Sequence, residues 1–328
     1  MDELDQKIIN ELEHLGFQKN ATLAHILGVG ERTLRRRINI MISNMAIKII
    51  AVPNPVLFGF SAWTKIGIKV APESLSRVAR VLVEHPSVYF VAYTLGRFDI
   101  IIAVHFDTID RLTYFVNSEL TRVKGILSAE TWMFVSPRKY YHFSWPAPVF
   151  RKTKNQWEPY RDATVSHSHY KVEEVDRRIL GILREDGLTR PASLKSRLGM
   201  GESTIRKRMK DMLANEVYKV GVVPNPEILE YEAWATIGIT INHQYAHKVI
   251  DSIIKYPAVY LASVSLGRFN IIIAARFSNT DLLNQFVTVE LPSIRGISST
   301  ETFLHNKPLK YHNINWYYLI NRPGKNQT

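Results

Sequence analysis

"LGRFDIIIA" occupies residues 95–103, and residues 266–274 read "LGRFNIIIA". The two stretches differ only where Asp99 is replaced by Asn270. The offset of 171 residues holds well beyond them: "VPNP" at 52–55 returns at 223–226, and "GERTLRRRI" at 30–38 returns as "GESTIRKRM" at 201–209. Glu130-Thr131 falls on Glu301-Thr302, Lys139-Tyr140 on Lys310-Tyr311, and Asp5 on Asp176. One constant shift carries residues 5–145 onto 176–316 without a gap. The chain is a tandem duplication of a unit of about 140 residues, the size of one domain or two small ones. Two copies are too few for a solenoid, which needs at least about three stacked repeats.

At 46% hydrophobic residues the chain can build real cores, yet its apolar runs, such as "IIIAV", are short. They fall far below the ~20 residues of a membrane helix, so no membrane partner is expected. Met1 is followed at once by acidic residues, which leaves no secretory signal in view. The chain has no cysteine, which excludes disulfides and thiolate metal sites and fits a reducing, cytoplasmic setting. A net charge of +12 points to an anionic partner, nucleic acid or a membrane surface. That charge is spread over both copies and the segment between them, so location must decide its meaning.

In the first copy "DELDQKIINELEHLG" places Leu4, Ile8, Ile9, Leu12 and Leu15 on one helical face, with Gly16 as the stop. "ATLAHILG" predicts a second short helix, its Leu23, Ile26 and Leu27 turned inward. A third begins at "GERTLRRRINIMI", where Leu34, Ile38 and Met41 share a face. Arg32, Arg36 and Asn39 then point away, Thr33 and Arg35 lie on the flanks, and Arg37 sits near the buried edge, as a brace or a phosphate contact. Three short helices with a tight Gly-x-Gly connection before a basic third helix describe a helix-turn-helix. The second copy repeats it with Ser203, Thr204, Arg206, Lys207 and Arg208, while Ile205, Met209 and Met212 face inward. Such a helix fits the major groove, where arginine pairs bidentately with guanine. The plainer reading is a solvated basic face on a three-helix bundle; repetition of the basic face in both copies favours DNA.

After "VPNP" the period changes. "FSAWTKIGIKV" alternates as a strand and "ESLSRVARVLVEHP" is an amphipathic helix; "SVYFVAYTLGRFDIIIAVHF" is two strands joined around Gly96-Arg97-Phe98. "TIDRLTYFVNSELTRV" is a second helix and "GILSAETWMFV" a fourth strand. The order β-α-β-β-α-β is a ferredoxin-like split unit, one antiparallel sheet with both helices on one face. Trp63, Ile66 and Ile68 suit a second sheet against the other face. The fold class is therefore α+β: two tandem copies of a helix-turn-helix domain followed by a ferredoxin-like domain. The expected domains are 1–50 and 172–221 for the helical parts and 51–145 and 222–318 for the ferredoxin-like parts. A Pro-rich, basic linker spans 146–171 and a tail 319–328.

This combination, carried by "LDQKII", "RRRI" and "LGRFDI", resembles the leucine-responsive regulatory protein/AsnC (Lrp/AsnC) family of transcription regulators. The resemblance implies two regulator protomers fused end to end, pairing as an intrachain pseudo-dimer that assembles further into homo-oligomers. It implies double-stranded DNA as partner, contacted by Arg32, Thr33, Arg35, Arg36 and Arg37 and by Ser203, Thr204, Arg206, Lys207 and Arg208. It also implies a small effector, an amino acid or carboxylate, beside the Gly-x-aromatic-Asp loop. The residues concerned are Leu95, Gly96, Arg97, Phe98 and Asp99, with Leu266, Gly267, Arg268, Phe269 and Asn270. The chain departs from the family pattern where Gly30 and Gly201 replace a Ser or Thr cap. Leu95 and Phe98, with Leu266 and Phe269, also stand where hydroxyl-bearing residues are usual. Asp99 carries a charge that Asn270 lacks, so either the two loops bind differently or the exchange is neutral drift.

No catalytic constellation, cofactor or metal site is expected. There is no Gly-rich phosphate loop; His167 and His169 lie in the linker without nearby acids, and His142 matches Asn313. Two other classes compete with the regulator: a siroheme decarboxylase-like tetrapyrrole enzyme, which resembles the same family, and a non-DNA ligand-sensing protein.

Overall fold

The computed structural model describes residues 1–15, 20–54, 57, 62–106, 108–140, 143–144, 149–152, 157–160, 170–225, 231–306 and 308–311. Three helices open the first copy: α1 (Glu3–Leu15), α2 (Asn20–Leu27) and α3 (Glu31–Ser43). β1 (Ile47–Pro53), β2 (Ala62–Val70), α4 (Leu75–Glu84), β3 (Val88–Leu95) and β4 (Ile100–Phe106) follow. Then come α5 (Ile109–Tyr114), prolonged by a π turn at Phe115–Glu119, and β5 (Ile126–Tyr140). The segment expected as a plain linker contains short strands, β6 (Phe143–Ser144), β7 (Val149–Lys152) and β8 (Trp157–Tyr160), of which β7 and β8 pair. The second copy supplies α6 (Glu174–Leu183), α7 (Pro191–Leu198), α8 (Glu202–Ala214), β9 (Tyr218–Pro224) and β10 (Ala233–Ile241). It ends with α9 (Ala246–Ile253), β11 (Val259–Leu266), β12 (Ile271–Phe277), α10 (Thr280–Gln285), α11 (Leu291–Ser293) and β13 (Ile297–His305). The 319–328 tail, His142, His167 and His169 lie outside the described residues.

The chain divides into two compact units, each built from both copies. One comprises residues 1–59 and 141–225, the other 60–140 and 226–328. In the first, β1 and β9 pair antiparallel in a register that sets Ile50 opposite Gly221. Those residues are each other's counterparts under the 171-residue shift, so a pseudo-two-fold axis passes through the ribbon. Reciprocal bonds confirm it: Asn54 N–H donates to Val217 O and Asn225 N–H to Ala46 O, both at 2.8 Å. This ribbon extends the helical unit past the expected boundaries at residues 50 and 221. Its cause is backbone pairing between copies, which one copy's hydropathy cannot show. Helix α1 buries Ile8, Ile9 and Leu12 as expected. Ile26 is 49% exposed rather than inward, because Leu23 and Ala24 take the buried positions of the short α2. Met209 is only half-buried.

The second unit holds the two ferredoxin-like halves. Each strand hydrogen-bonds to the next in the order β11-β12-β10-β13-β3-β4-β2-β5, and β5 pairs back onto β11. Eight antiparallel strands thus close on themselves and leave no open edge among them. Closure depends on β5, which runs to Tyr140 and reaches the other copy, beyond the strand end expected near Val135. On the outer face Ala62, Ile66, Ile68 and Val70 pack with Val78 and Leu82 of α4 and with Leu112 and Phe115. This corrects the expectation for Ile66 and Ile68. Side chains alternate along a strand, so only odd-numbered β2 residues such as Trp63 and Lys65 can point into the barrel. Each seam is closed by a buried lysine of one copy on the helix C-terminus of the other. Lys139 Nζ donates to Ile254 O and Tyr256 O, both at 3.0 Å, and Lys310 Nζ donates to His85 O at 2.9 Å. Orphan carbonyls at a helix end favour a cation there.

Candidate functional site

The exposed face of α3 carries the charge that composition only implied. Leu34, Ile38 and Met41 are buried, and the 3.6-residue period turns Arg32, Thr33, Arg35, Arg36 and Asn39 to solvent. Arg32, Arg35, Arg36 and Asn39 line one open hollow. Arg35 donates to Glu31 Oε1 at 2.8 Å, one turn earlier, whereas Arg32 and Arg36 have no acidic partner among the described residues. In α8 Ser203, Thr204, Arg206 and Lys207 are exposed likewise, and Arg206 pairs with Glu202 at 2.5 Å. Gly30 and Gly201 are the N-caps of these helices and supply no side-chain bond.

Arg37 and Arg208 stand apart from this surface. Arg37 Nη1 donates to Asp2 at 2.7 Å and Asp5 at 2.8 Å; Arg208 bonds Glu173 and Asp176. The bonds to Asp5, then Asp2, raise the Arg37 pKa above the ordinary value. Both arginines therefore act as braces tying the third helix to the chain at and before the first. The persistence of Asp5 as Asp176 was the sequence signal for this pair.

The turns that follow β3 and β11 hold four kinds of residue. Leu95 and Leu266 are 69% and 59% exposed. Gly96 and Gly267 have φ of +115° and +122°, a backbone that side chains rarely adopt, which explains glycine in both copies. Arg97 pairs with Glu130 at 3.0 Å and Arg268 with Glu301 at 2.7 Å. Phe98 and Phe269 are not loop-surface residues: each is 4% exposed, its ring lying where a Cβ on Gly67 or Gly238 would sit. With Trp132 and Phe303 they fill one part of the barrel.

Asp99 is likewise committed to its own fold. Its Oδ2 accepts Val70 N–H and its Oδ1 accepts Lys69 Nζ, both at 2.8 Å. In the second copy Asn270 Oδ1 accepts Ile241 N–H at 2.9 Å, and the counterpart of Lys69 is Thr240. The carboxylate-to-amide exchange thus accompanies loss of the lysine that the carboxylate paired with. The backbone bond, which needs only an oxygen, is kept in both copies. Sequence reading missed Lys69, Glu130 and Glu301 as partners, although the 171-residue alignment displays the joint change at positions 69 and 99.

Inside the barrel lies a polar group that hydropathy did not reveal. Lys65, 2% exposed, donates from Nζ to Thr236 Oγ1 at 2.6 Å and lies over the Phe90 ring. Thr236 Oγ1 is 3.5 Å from His305 Nε2. Burial lowers the Lys65 pKa to about 7; burial, then Lys65, lowers that of His305 to about 3, so the imidazole is neutral. Around Lys65, between Tyr89, Tyr140, Tyr260 and Tyr311, only about 10 Å³ remains, the space of one water. Among the described residues no group of three or more potential ligands could hold a metal ion, and no helix is long and apolar enough to cross a membrane.

The model of the Lrp/AsnC ligand binding domain matches residues 65–142 and again 235–314. The HTH-type transcriptional regulator FL11 of Pyrococcus abyssi is 31% identical over 134 residues, 40% of this chain and 88% of its own length. An uncharacterized HTH-type transcriptional regulator of Pyrococcus furiosus is 33% identical over 141 residues, 43% of this chain and 95% of its own. The chain belongs to the Lrp/AsnC family. Each of these Lrp/AsnC relatives is nearly spanned by a match less than half this chain long, which accords with two copies of the family's domain in tandem. Among solved structures, the siroheme decarboxylase NirDL has a TM-score of 0.58 at 14% identity, covering 96% of this chain and 94% of that one. That likeness is one of fold.

Proposed function

We propose that this Lrp/AsnC chain is a sequence-specific DNA-binding regulator of transcription in which α1–α3 and α6–α8 are two helix-turn-helix modules. The observation that carries the reading is the division of arginines on the third helix. Arg37 and Arg208 are held by acids as braces, while Arg32, Arg36 and Lys207 project into solvent without an acidic partner among the described residues. Cations left unneutralised on one helix face suit phosphates and guanine edges. Curated relatives named as HTH-type transcriptional regulators support it. Arg97 and Arg268 are partly exposed but paired with Glu130 and Glu301, so a carboxylate effector held through them would share each arginine with its acid.

The chain is proposed not to be an enzyme. The barrel interior around Lys65 is filled by its own aromatic side chains, leaving no room there for a tetrapyrrole. The test is capture of genomic fragments by the purified protein, followed by gel shifts at two salt concentrations and footprinting. Binding should weaken steeply with salt, as counterion release requires. Because α3 presents Arg32 and Arg36 where α8 presents Ser203 and Lys207, the two half-sites should differ. Absence of specific binding, with a spectral shift and loss of carboxyl groups on incubation with an iron tetrapyrrole, would instead favour the enzyme reading.

A further inference from the structure

The bond between Lys65 and Thr236 joins two residues 171 positions apart. They are the same site in the two copies, so their contact straddles the pseudo-two-fold axis of the barrel. The seams obey that axis: Leu95 pairs with Leu304 on one side, and Leu266 with Met133 on the other. A second pair of counterparts also meets across it. Trp132 and Phe303 stack with ring centroids 5.1 Å apart and planes at 26°. In a symmetric homodimer every residue on the axis must face its own kind. Here both of these contacts join unlike residues.

We propose that these contacts key the two copies to each other, so that a barrel forms between a first and a second copy and not between two first copies. In its ammonium form Lys65 brings only donors to the axis, and Thr236 provides the acceptor. Two first copies would set lysine against lysine in a buried space with about one water's volume left beside it. Two ammonium groups there would lack the acceptor and repel each other at low dielectric, so like pairing would force at least one lysine to give up its proton. They would also set Trp132 against another Trp132, adding ring volume where Trp132, Phe303, Phe98 and Phe269 already fill the interior. Two second copies would avoid the charge but leave Phe303 against Phe303 with a void. Unlike pairing fills the space and satisfies the amine. The partner that the first copy's inner face fits is therefore a second copy.

The contact that two first copies would make can be rebuilt inside one full-length chain. Thr236→Lys sets Lys65 against a second lysine, and the thermal midpoint of unfolding should fall by about 10 °C. Phe303→Trp, which rebuilds the ring contact, should lower it by a few degrees. The reciprocal double variant, Lys65→Thr with Thr236→Lys, restores an unlike pair in the opposite sense and should regain most of the loss. A double variant melting as low as Thr236→Lys alone would show that the site of the threonine matters and not its pairing. A Thr236→Lys chain as stable as the parent would show that like pairing is tolerated. Either result overturns the proposal.

Discussion

Replacing Lys65 with methionine should stabilise this protein, by an amount that depends on pH. Methionine has nearly the length and volume of lysine without its charge, so the barrel stays filled. Lys65 has an ordinary pKa of 10.5 that burial lowers to about 7 in the fold. That difference corresponds to roughly 5 kcal/mol of penalty at neutral pH and below. The bond to Thr236 and the contact with the Phe90 ring, which methionine forfeits, offset roughly 2 kcal/mol of it. Lys65→Met should then gain about 3 kcal/mol, or about 10 °C, at pH 6. The sign across pH follows from proton counting. Between pH 7 and 10.5 the unfolded chain holds a proton on Lys65 that the folded chain has released, so parental stability rises with pH through this window. Below it both states are protonated and the full penalty applies. The advantage of Lys65→Met should be constant below pH 7 and shrink steadily toward pH 10. Lys139 and Lys310, lowered by burial to about 8, titrate in the same window but are common to both chains and cancel in the difference. Thermal melts followed by near-ultraviolet dichroism at pH 6, 8 and 9.5 measure the gap. A less stable Lys65→Met chain at pH 6, or a gap that ignores pH, would refute the reasoning.

Three further outcomes are expected. Arg36→Ala should weaken specific DNA binding by about 1–3 kcal/mol in gel-shift titrations while leaving the melting temperature unchanged, because the side chain is exposed and touches no acid among the described residues. Arg208→Ala should instead destabilise the helical unit by about 3 kcal/mol, since it strips the charge partner from the buried Asp176, and a chemical melt followed by helical dichroism would read the loss. Asp99→Asn should cost under about 1 kcal/mol, because the amide oxygen can still accept Val70 N–H and the part-exposed pair with Lys69 is worth little; a loss several times larger would deny that the second copy shows how the site relaxes.

The duplication, the order of the helices and of the ferredoxin-like elements in each copy, and the basic face of α3 and α8 were legible in the sequence; the paired strands β1 and β9 were not. Each is a local property: identity at a constant offset, or a period of 3.6 or 2. Legibility ended where a residue's meaning depends on a partner distant along the chain. Phe98 reads as a loop residue until Gly67 leaves the space for its ring. Asp99 reads as part of an effector-binding loop until Lys69 and Val70 N–H are found on it. Lys65 reads as an ordinary polar position in an alternating strand, because a strand with both faces buried and one with a wet face can share that alternation. Only closure of the barrel through β5 and β11 turned that face inward and brought Lys65 to Thr236. Hydropathy along one strand records which residues alternate. What lies against each face is settled by the other copy, whose arrival no local pattern encodes.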